Sequence, residues 1–302
     1  MRGAEDVVRD LRARGELWEA APGLVGLRGD ALALRDALER LLVAAAGADT
    51  TEAWAPPPAL ALDTLARADY FASFPQWLTL AAHLSEDAAA LEQVARSADP
   101  AAAARAACAP AGAALPPAVC YHVYAALAGR TLAAPCAVGV RGTCWRHEGD
   151  RLRPLARGWA FTMCEGVCVG DAGAVARFRA RGAGAGLALA ASLGLDAELV
   201  EATDPFFAPT GRGRLLLQRL KGLKQELLLR VGDERIAAAS FNLHEGFFGE
   251  AFDIRLPGGA PAASGCVAYG LERWLLAFLA THGTSARDWP ASTLDVPTEV
   301  AA

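Results

Sequence analysis

Two clusters of residues have the types and spacing to handle a charged, planar ligand. In the first, Arg146-His147-Glu148 closes the run Gly142-Thr-Cys-Trp145. A basic loop with Arg151, Arg153 and Arg157 follows, and then Trp159-Ala-Phe161-Thr-Met163-Cys-Glu165. Two antiparallel strands joined by that loop would present an arginine, a glutamate and a phenylalanine together. A guanidinium meets a phosphate as a planar fork, an aromatic face stacks on a base, and a carboxylate accepts from an exocyclic amine. Such parts can hold a nucleotide, although on these residues alone a charged hairpin with an Arg–Glu surface pair is the simpler reading. The second cluster is Ser264-Gly-Cys266-Val-Ala-Tyr269-Gly270-Leu-Glu272-Arg273, leading into Trp274-Leu-Leu-Ala-Phe278. A strand, a glycine and an arginine in the first helical turn can aim a guanidinium at a phosphate. An isolated Gly-Leu-Glu-Arg is weak evidence, because helix starts often carry such residues.

Composition narrows the setting. Seven cysteines at irregular spacings do not read as a secreted disulfide framework, so they are core thiols, metal ligands or both. A net charge of −5 gives no general reason to expect nucleic acid as a partner. The start, MRGAEDVVRDLRARGE, is charged and amphipathic, and the longest apolar runs, such as 274–280, are too short to span a bilayer. A soluble cytoplasmic protein without membrane contact is therefore expected. Lys221 and Lys224 are the only lysines, and Asn242 is the only asparagine. Met163 is the only methionine after the first residue, so all four lie between 163 and 242. Chance clustering accounts for this as well as a site does.

The elements that would position these residues follow from periodicity. Helical spacing covers Val7–Glu19 and Ala31–Ala46, with a turn at Arg28-Gly29-Asp30. Residues 53–60 are Pro-rich and extended. A helix is predicted over Leu65–Phe74 and a strand over Trp77–Ala82. An alanine-rich helix over Ser85–Ala107 is closed by a loop over Ala109–Pro117. Short apolar runs at Cys136–Val140, Thr143–Arg146 and Ala160–Val169 read as sheet. Ala172–Leu193 is predicted as a helix and Arg214–Lys224 as a second, basic one. Gln225–Val231 and Arg235–His244 flank Gly232-Asp233, a hairpin signal. Val267–His282 starts as a glycine-containing turn and becomes a helix. One α+β domain over 1–302 is expected, with a helical N-terminal layer over 1–60 and an insertion over 201–224.

Taken together, the clusters are specific. They resemble motif 2 and motif 3 of class II aminoacyl-tRNA synthetases, and Tyr70-Phe-Ala-Ser-Phe-Pro75 resembles motif 1, a dimer-interface element. Within that superfamily, six segments look like the amino acid:[carrier protein] ligases, homologues of the atypical zinc-containing seryl-tRNA synthetases. They are Val119-Cys120-Tyr-His-Val-Tyr124, Trp145-Arg-His-Glu148, Phe161-Thr-Met-Cys-Glu165, Asp204-Pro-Phe-Phe207, Ser240-Phe-Asn-Leu-His244 and Cys266-Val-Ala-Tyr-Gly-Leu-Glu-Arg273. The resemblance runs from about Leu32 to Gly283. It implies an antiparallel sheet flanked by helices and a homodimer.

The resemblance also implies roles. Zinc would be held by Cys120, Glu165 and Cys266, with the substrate amine in the open position. Cys108, Cys136, Cys144, Cys164 and Cys168 remain buried structural thiols. Arg146 would hold the α-phosphate of ATP, which arrives with Mg²⁺. Glu148 would read adenine, with Phe161 and Arg273 on either side of the ring. Lys224 and Ala237, Ala238, Ala239 and Ser240 would line the ATP site, while Asp204 and Asn242 would face the amino acid. Arg212, Arg214, Arg219 and Lys221 form a basic face suited to an acidic carrier protein bearing a phosphopantetheine arm. The chain departs from the family at Cys164, where arginine is frequent. The loop 149–158 has no reliable register, and the pocket near Phe241–Phe248 differs, which leaves the amino acid open; glycine and alanine come first. A tRNA acceptor is not expected, because there is no heptad-bearing arm and no basic anticodon module. Persistence of the whole site set argues against a non-catalytic paralogue.

Overall fold

The computed structural model describes residues 1–47, 49–205, 218 and 221–290. The centre is a seven-stranded sheet in the order β3 (Glu52–Trp54), β7 (Cys136–Trp145), β8 (Ala160–Gly170), β12 (Ala263–Gly270), β11 (Glu234–Glu245), β10 (Lys224–Val231) and β9 (Ala197–Glu201). Only β3 runs parallel to its neighbour; every other pair is antiparallel. A three-stranded sheet, β4 (Leu60–Ala61), β6 (Cys108–Leu115) and β5 (Thr79–Leu84), stands beside it, and β1 (Leu17–Ala21) and β2 (Leu24–Leu27) form a hairpin.

Alternation in the central strands assigns their two faces. From β8, Cys164 and Cys168 join a core under the helices Gly29–Gly47, Ala172–Ser192 and Leu271–His282. Met163, Val167 and Val169 point the opposite way, into a second core with the helices Cys120–Ala126 and Phe247–Phe252. Glycine in the helix 172–192 has a packing reason. A Cβ at Gly182 would lie 2.4 Å from the Val267 side chain, so its absence lets the helix press onto β12. Tyr269 fixes that approach by donating its hydroxyl hydrogen to the Gly182 carbonyl, 2.8 Å away.

Several sequence expectations are corrected. The N-terminal helix stops at Ala13, because Gly15 turns the chain with φ 67° into the β1–β2 hairpin. The N-terminal layer is thus not wholly helical, and its last strand joins the main sheet. The helix expected over 65–74 is two short helices, Leu62–Arg67 and Tyr70–Ser73, separated by Asp69 at φ 53°. The segment 85–107 splits likewise into Ala88–Arg96 and Pro100–Ala106. Asp87 and Asp99 each cap a helix start with the side chain, and Pro100 opens the second. The loop expected over 109–117 is instead largely β6, paired antiparallel with β5. The turn expected at 267–270 is the end of β12. Lys224 opens β10 and does not end a helix. Arg212, Arg214 and Arg219 lie outside the described residues. Among the described residues, no helix is long and apolar enough to cross a membrane.

Candidate active site

Cys120 is the first residue of the helix 120–126, Glu165 lies mid-way along β8, and Cys266 sits on β12. One ligand atom from each lies within 4.8 Å of the other two, and all three residues are buried. Glu165 Oε1 accepts from the Val119 backbone N–H at 3.3 Å, while Oε2 is buried with no hydrogen-bond partner among the described residues. An unpaired carboxylate oxygen at such depth is costly. Burial first, and then the neighbouring Cys266 sulfur, push the Glu165 carboxyl up to about 8. The hydrogen bond from Cys120 holds the Cys266 thiol well below its usual range and drives the Cys120 thiol up. Two sulfurs and a carboxylate crowded together with an oxygen to spare form a donor set that fits a divalent cation with one position open, as zinc prefers. Asn242 on β11 brings Nδ2 to 3.3 Å from Cys266 Sγ and 3.4 Å from Ser240 Oγ. His244 follows on the same face, with Nε2 3.9 Å from that sulfur.

Next to this trio lies a cavity open to solvent. Arg146, Glu148, Phe161, Lys224, Arg273 and the segment 237–240 all line it. The Arg146 guanidinium lies between two rings, 5.4 Å from the Trp77 centroid and 5.3 Å from that of Phe161, and its Nε donates to the Pro117 carbonyl at 2.9 Å. Arg273 donates from Nε to Ala156 O at 2.7 Å and from Nη1 to Ala237 O at 2.6 Å. Desolvation, then the nearby Arg157 and Arg146 charges, lower it to about 10. Arg146 and Arg273, bonded to backbone carbonyls and to no carboxylate among the described residues, suit an anionic ligand.

The other walls are already occupied. Glu148 is ion-paired with Arg157 from the loop, and Leu155 in that loop is buried at φ 61°. Lys224 Nζ bridges Asp204 Oδ1 at 2.6 Å and Glu226 Oε1 at 3.0 Å. Gln218 donates to the second Asp204 oxygen at 2.7 Å. Burial would raise the Asp204 carboxyl, but the Lys224 charge overrides it and leaves it low. Asp204 is therefore committed to a lysine, and Lys221 pairs on the surface with Glu245 at 2.8 Å. Trp77, Glu226 and Leu155 were not singled out from the sequence, and Arg157 only as one arginine of the basic loop. For Glu226 the signal was present, two places after Lys224 on one strand face. Cys108 is exposed and Cys136 half-buried, so the expectation of buried thiols holds only for Cys144, Cys164 and Cys168.

Beyond His244 the site is walled by aromatic rings. Tyr124 and Phe248 stack at 4.0 Å and 11°, and His244 meets Phe248 edge-on at 4.9 Å.

No family model matches the chain. The M. kandleri SerRS, solved in complex with A. aeolicus tRNASec, superposes with a TM-score of 0.86 at 23% identity, covering 98% of this chain and 60% of that one. That likeness gives the fold, a class II aminoacyl-tRNA-synthetase-like catalytic fold of α+β type. In sequence, the chain is 34% identical over 253 residues to amino acid–[acyl-carrier-protein] ligase 1 of Bradyrhizobium diazoefficiens, covering 82% of this chain and 76% of the relative. It is 33% identical over 284 residues to ligase 2 of the same organism, covering 91% and 83%. Identity at this level, across most of both chains, makes this protein a member of the amino acid–[acyl-carrier-protein] ligase family.

Proposed function

We propose that this ligase activates a small amino acid with ATP as an aminoacyl adenylate and passes it to the phosphopantetheine thiol of a carrier protein. One observation carries the reading. Two neighbouring strands each give one residue to the cavity and the next residue of the same face to the buried cluster, Met163 and Glu165 on β8, Ala268 and Cys266 on β12; on β11, Ser240 lines the cavity and Asn242 touches the Cys266 sulfur. Two places along a strand is about 7 Å. A nucleotide in the cavity and an amine at the cluster therefore lie within one small amino acid of each other.

The residues divide the work accordingly. Arg146, packed against Trp77 and Phe161, stabilises charge on the α-phosphate as the amino-acid carboxylate attacks phosphorus and pyrophosphate leaves with Mg²⁺, while Arg273, at the start of its helix, flanks the adenine ring with Phe161 and adds its charge to the ATP site. Glu148 takes the adenine amine once Arg157 gives way. Cys120, Glu165 and Cys266 would hold zinc, which would supply a Lewis acid for the substrate amine. In the second step the carrier thiol sulfur bonds to the acyl carbon, AMP leaves, and the thiol proton goes to solvent. The Tyr124–Phe248 stack supports a small side chain, glycine or alanine, because it fills the space beyond the cluster. Exposed Phe71, Leu80, Leu84 and Leu91, in and after the Tyr70–Pro75 segment that resembles an interface motif, support a homodimer.

The test is amino-acid-dependent exchange of pyrophosphate into ATP across the proteinogenic set. Exchange with glycine or alanine supports the proposal, and no exchange with any amino acid contradicts it.

A further inference from the structure

His244 has no part in the steps above, yet its ring reaches the proposed metal cluster. Nε2 lies 3.9 Å from Cys266 Sγ, and Nδ1 lies 3.3 Å from both the Tyr124 hydroxyl and Ser264 Oγ. The ring is held from the side by Phe248, centroids 4.9 Å apart, and Tyr124 lies edge-on to it at 6.1 Å. Tyr124 and Ser264 are fully buried.

The hydrogen-bond inventory constrains this arrangement. A thiolate bound to a metal accepts and cannot donate, so a neutral imidazole beside it is favourable only with its proton on Nε2. That tautomer leaves Nδ1 as an acceptor, and both groups beside Nδ1 are hydroxyls able to donate. The other tautomer would set the Nε2 lone pair against the sulfur's negative charge. Outer donors of this kind orient a ligand and moderate its charge.

We infer that His244 is a positioning residue: its tautomer is set by Tyr124 and Ser264, and its Nε2–H steadies the Cys266 thiolate in the metal-loaded protein. Asn242, 3.3 Å from the same sulfur, is the companion donor. The inference rests on the metal reading of Cys120, Glu165 and Cys266.

The experiment measures Co²⁺ and Zn²⁺ affinity by competition with a chelator, and the thiolate-to-cobalt charge-transfer band, in four full-length proteins. His244→Phe keeps the ring volume and the contact with Phe248 but removes the N–H. Its metal affinity should fall roughly ten- to hundred-fold, with a shifted band. His244→Gln places an amide N–H near Nε2 and should restore affinity to within a few-fold of the parent. Tyr124→Phe removes one donor to Nδ1 and should weaken binding in the same direction as His244→Phe, but less. Parental affinity and band in both His244→Phe and Tyr124→Phe overturn the inference. A glutamine variant as weak as the phenylalanine one also overturns it, since that marks direct ligation by the imidazole. Should His244→Phe not fold, the glutamine and Tyr124→Phe proteins decide by the same criteria. If the parent protein binds neither ion, the metal reading falls and takes this inference with it.

Discussion

Glu165 and Cys266 sit on adjacent antiparallel strands, displaced by one same-face step: Glu165 is opposite Ala268, and Cys266 is opposite Val167. Their side chains therefore share one face of the sheet, and the helix start at Cys120 closes over them. Strand register thus brings together Glu165 and Cys266, 101 residues apart in sequence.

Purified protein should carry about one zinc per chain. Cys266→Ala should lose both the metal and exchange activity. Full occupancy by elemental analysis, with normal exchange, in that variant would remove the metal assignment while leaving the nucleotide cavity in place.

Arg146→Ala and Arg273→Ala should each lower pyrophosphate exchange by about two to three orders of magnitude, as loss of a transition-state donor does. The Arg273 variant also frees the Ala156 and Ala237 carbonyls. Circular dichroism should accompany the kinetics, so that lost folding is not read as lost catalysis. Near-normal exchange in both variants would overturn the placement of ATP.

Lys224→Ala leaves Asp204 and Glu226 facing each other without their shared cation. Removing one partner of a buried pair costs about 3 kcal/mol here, the low end of the usual range, because the Asp204 side chain is 29% exposed. Denaturant unfolding should show the loss, and Lys224→Ala with Asp204→Ala should recover part of it. Unchanged stability in the single variant would contradict the pairing.

The elements bearing the site were legible where patterning is strong. The short apolar run 160–169 placed β8, Gly232-Asp233 placed the hairpin turn, and the helical spacing of 31–46 placed its helix. The misreadings have local causes. Alanine-rich 108–115 has poor strand propensity, and becomes a strand because it pairs with β5 across the chain. Asp69 breaks the 62–73 helix through a left-handed backbone that its neighbours do not announce. Motif resemblance singled out the cluster and the arginines, but it did not show that Asp204 is tied to Lys224. It also did not show that Trp77 flanks Arg146, because such contacts depend on loops whose path has no periodic signal.

The exposed apolar residues on β5 and its neighbours, Phe71, Leu80, Leu84 and Leu91, should be covered in a homodimer. Light scattering at micromolar concentration should give twice the 31.4 kDa chain mass. Leu80→Glu with Leu84→Glu should yield monomers. A monomeric parent protein would contradict the dimer and leave the site unaffected.

Carrier loading is the step that separates this reading from every other use of the fold. Arg212, Arg214 and Arg219 lie outside the described residues, and their charge in sequence suits an acidic partner. Arg214→Glu with Arg219→Glu should keep pyrophosphate exchange and slow loading, and added salt should slow the parent. The decisive measurement is intact-mass spectrometry of a holo carrier protein incubated with the enzyme, ATP and glycine or alanine. The expected result is a mass increase of one aminoacyl group, dependent on ATP and reversed by hydroxylamine as a thioester requires. No adduct on any holo carrier protein, from an enzyme that exchanges pyrophosphate normally, would contradict the proposed function.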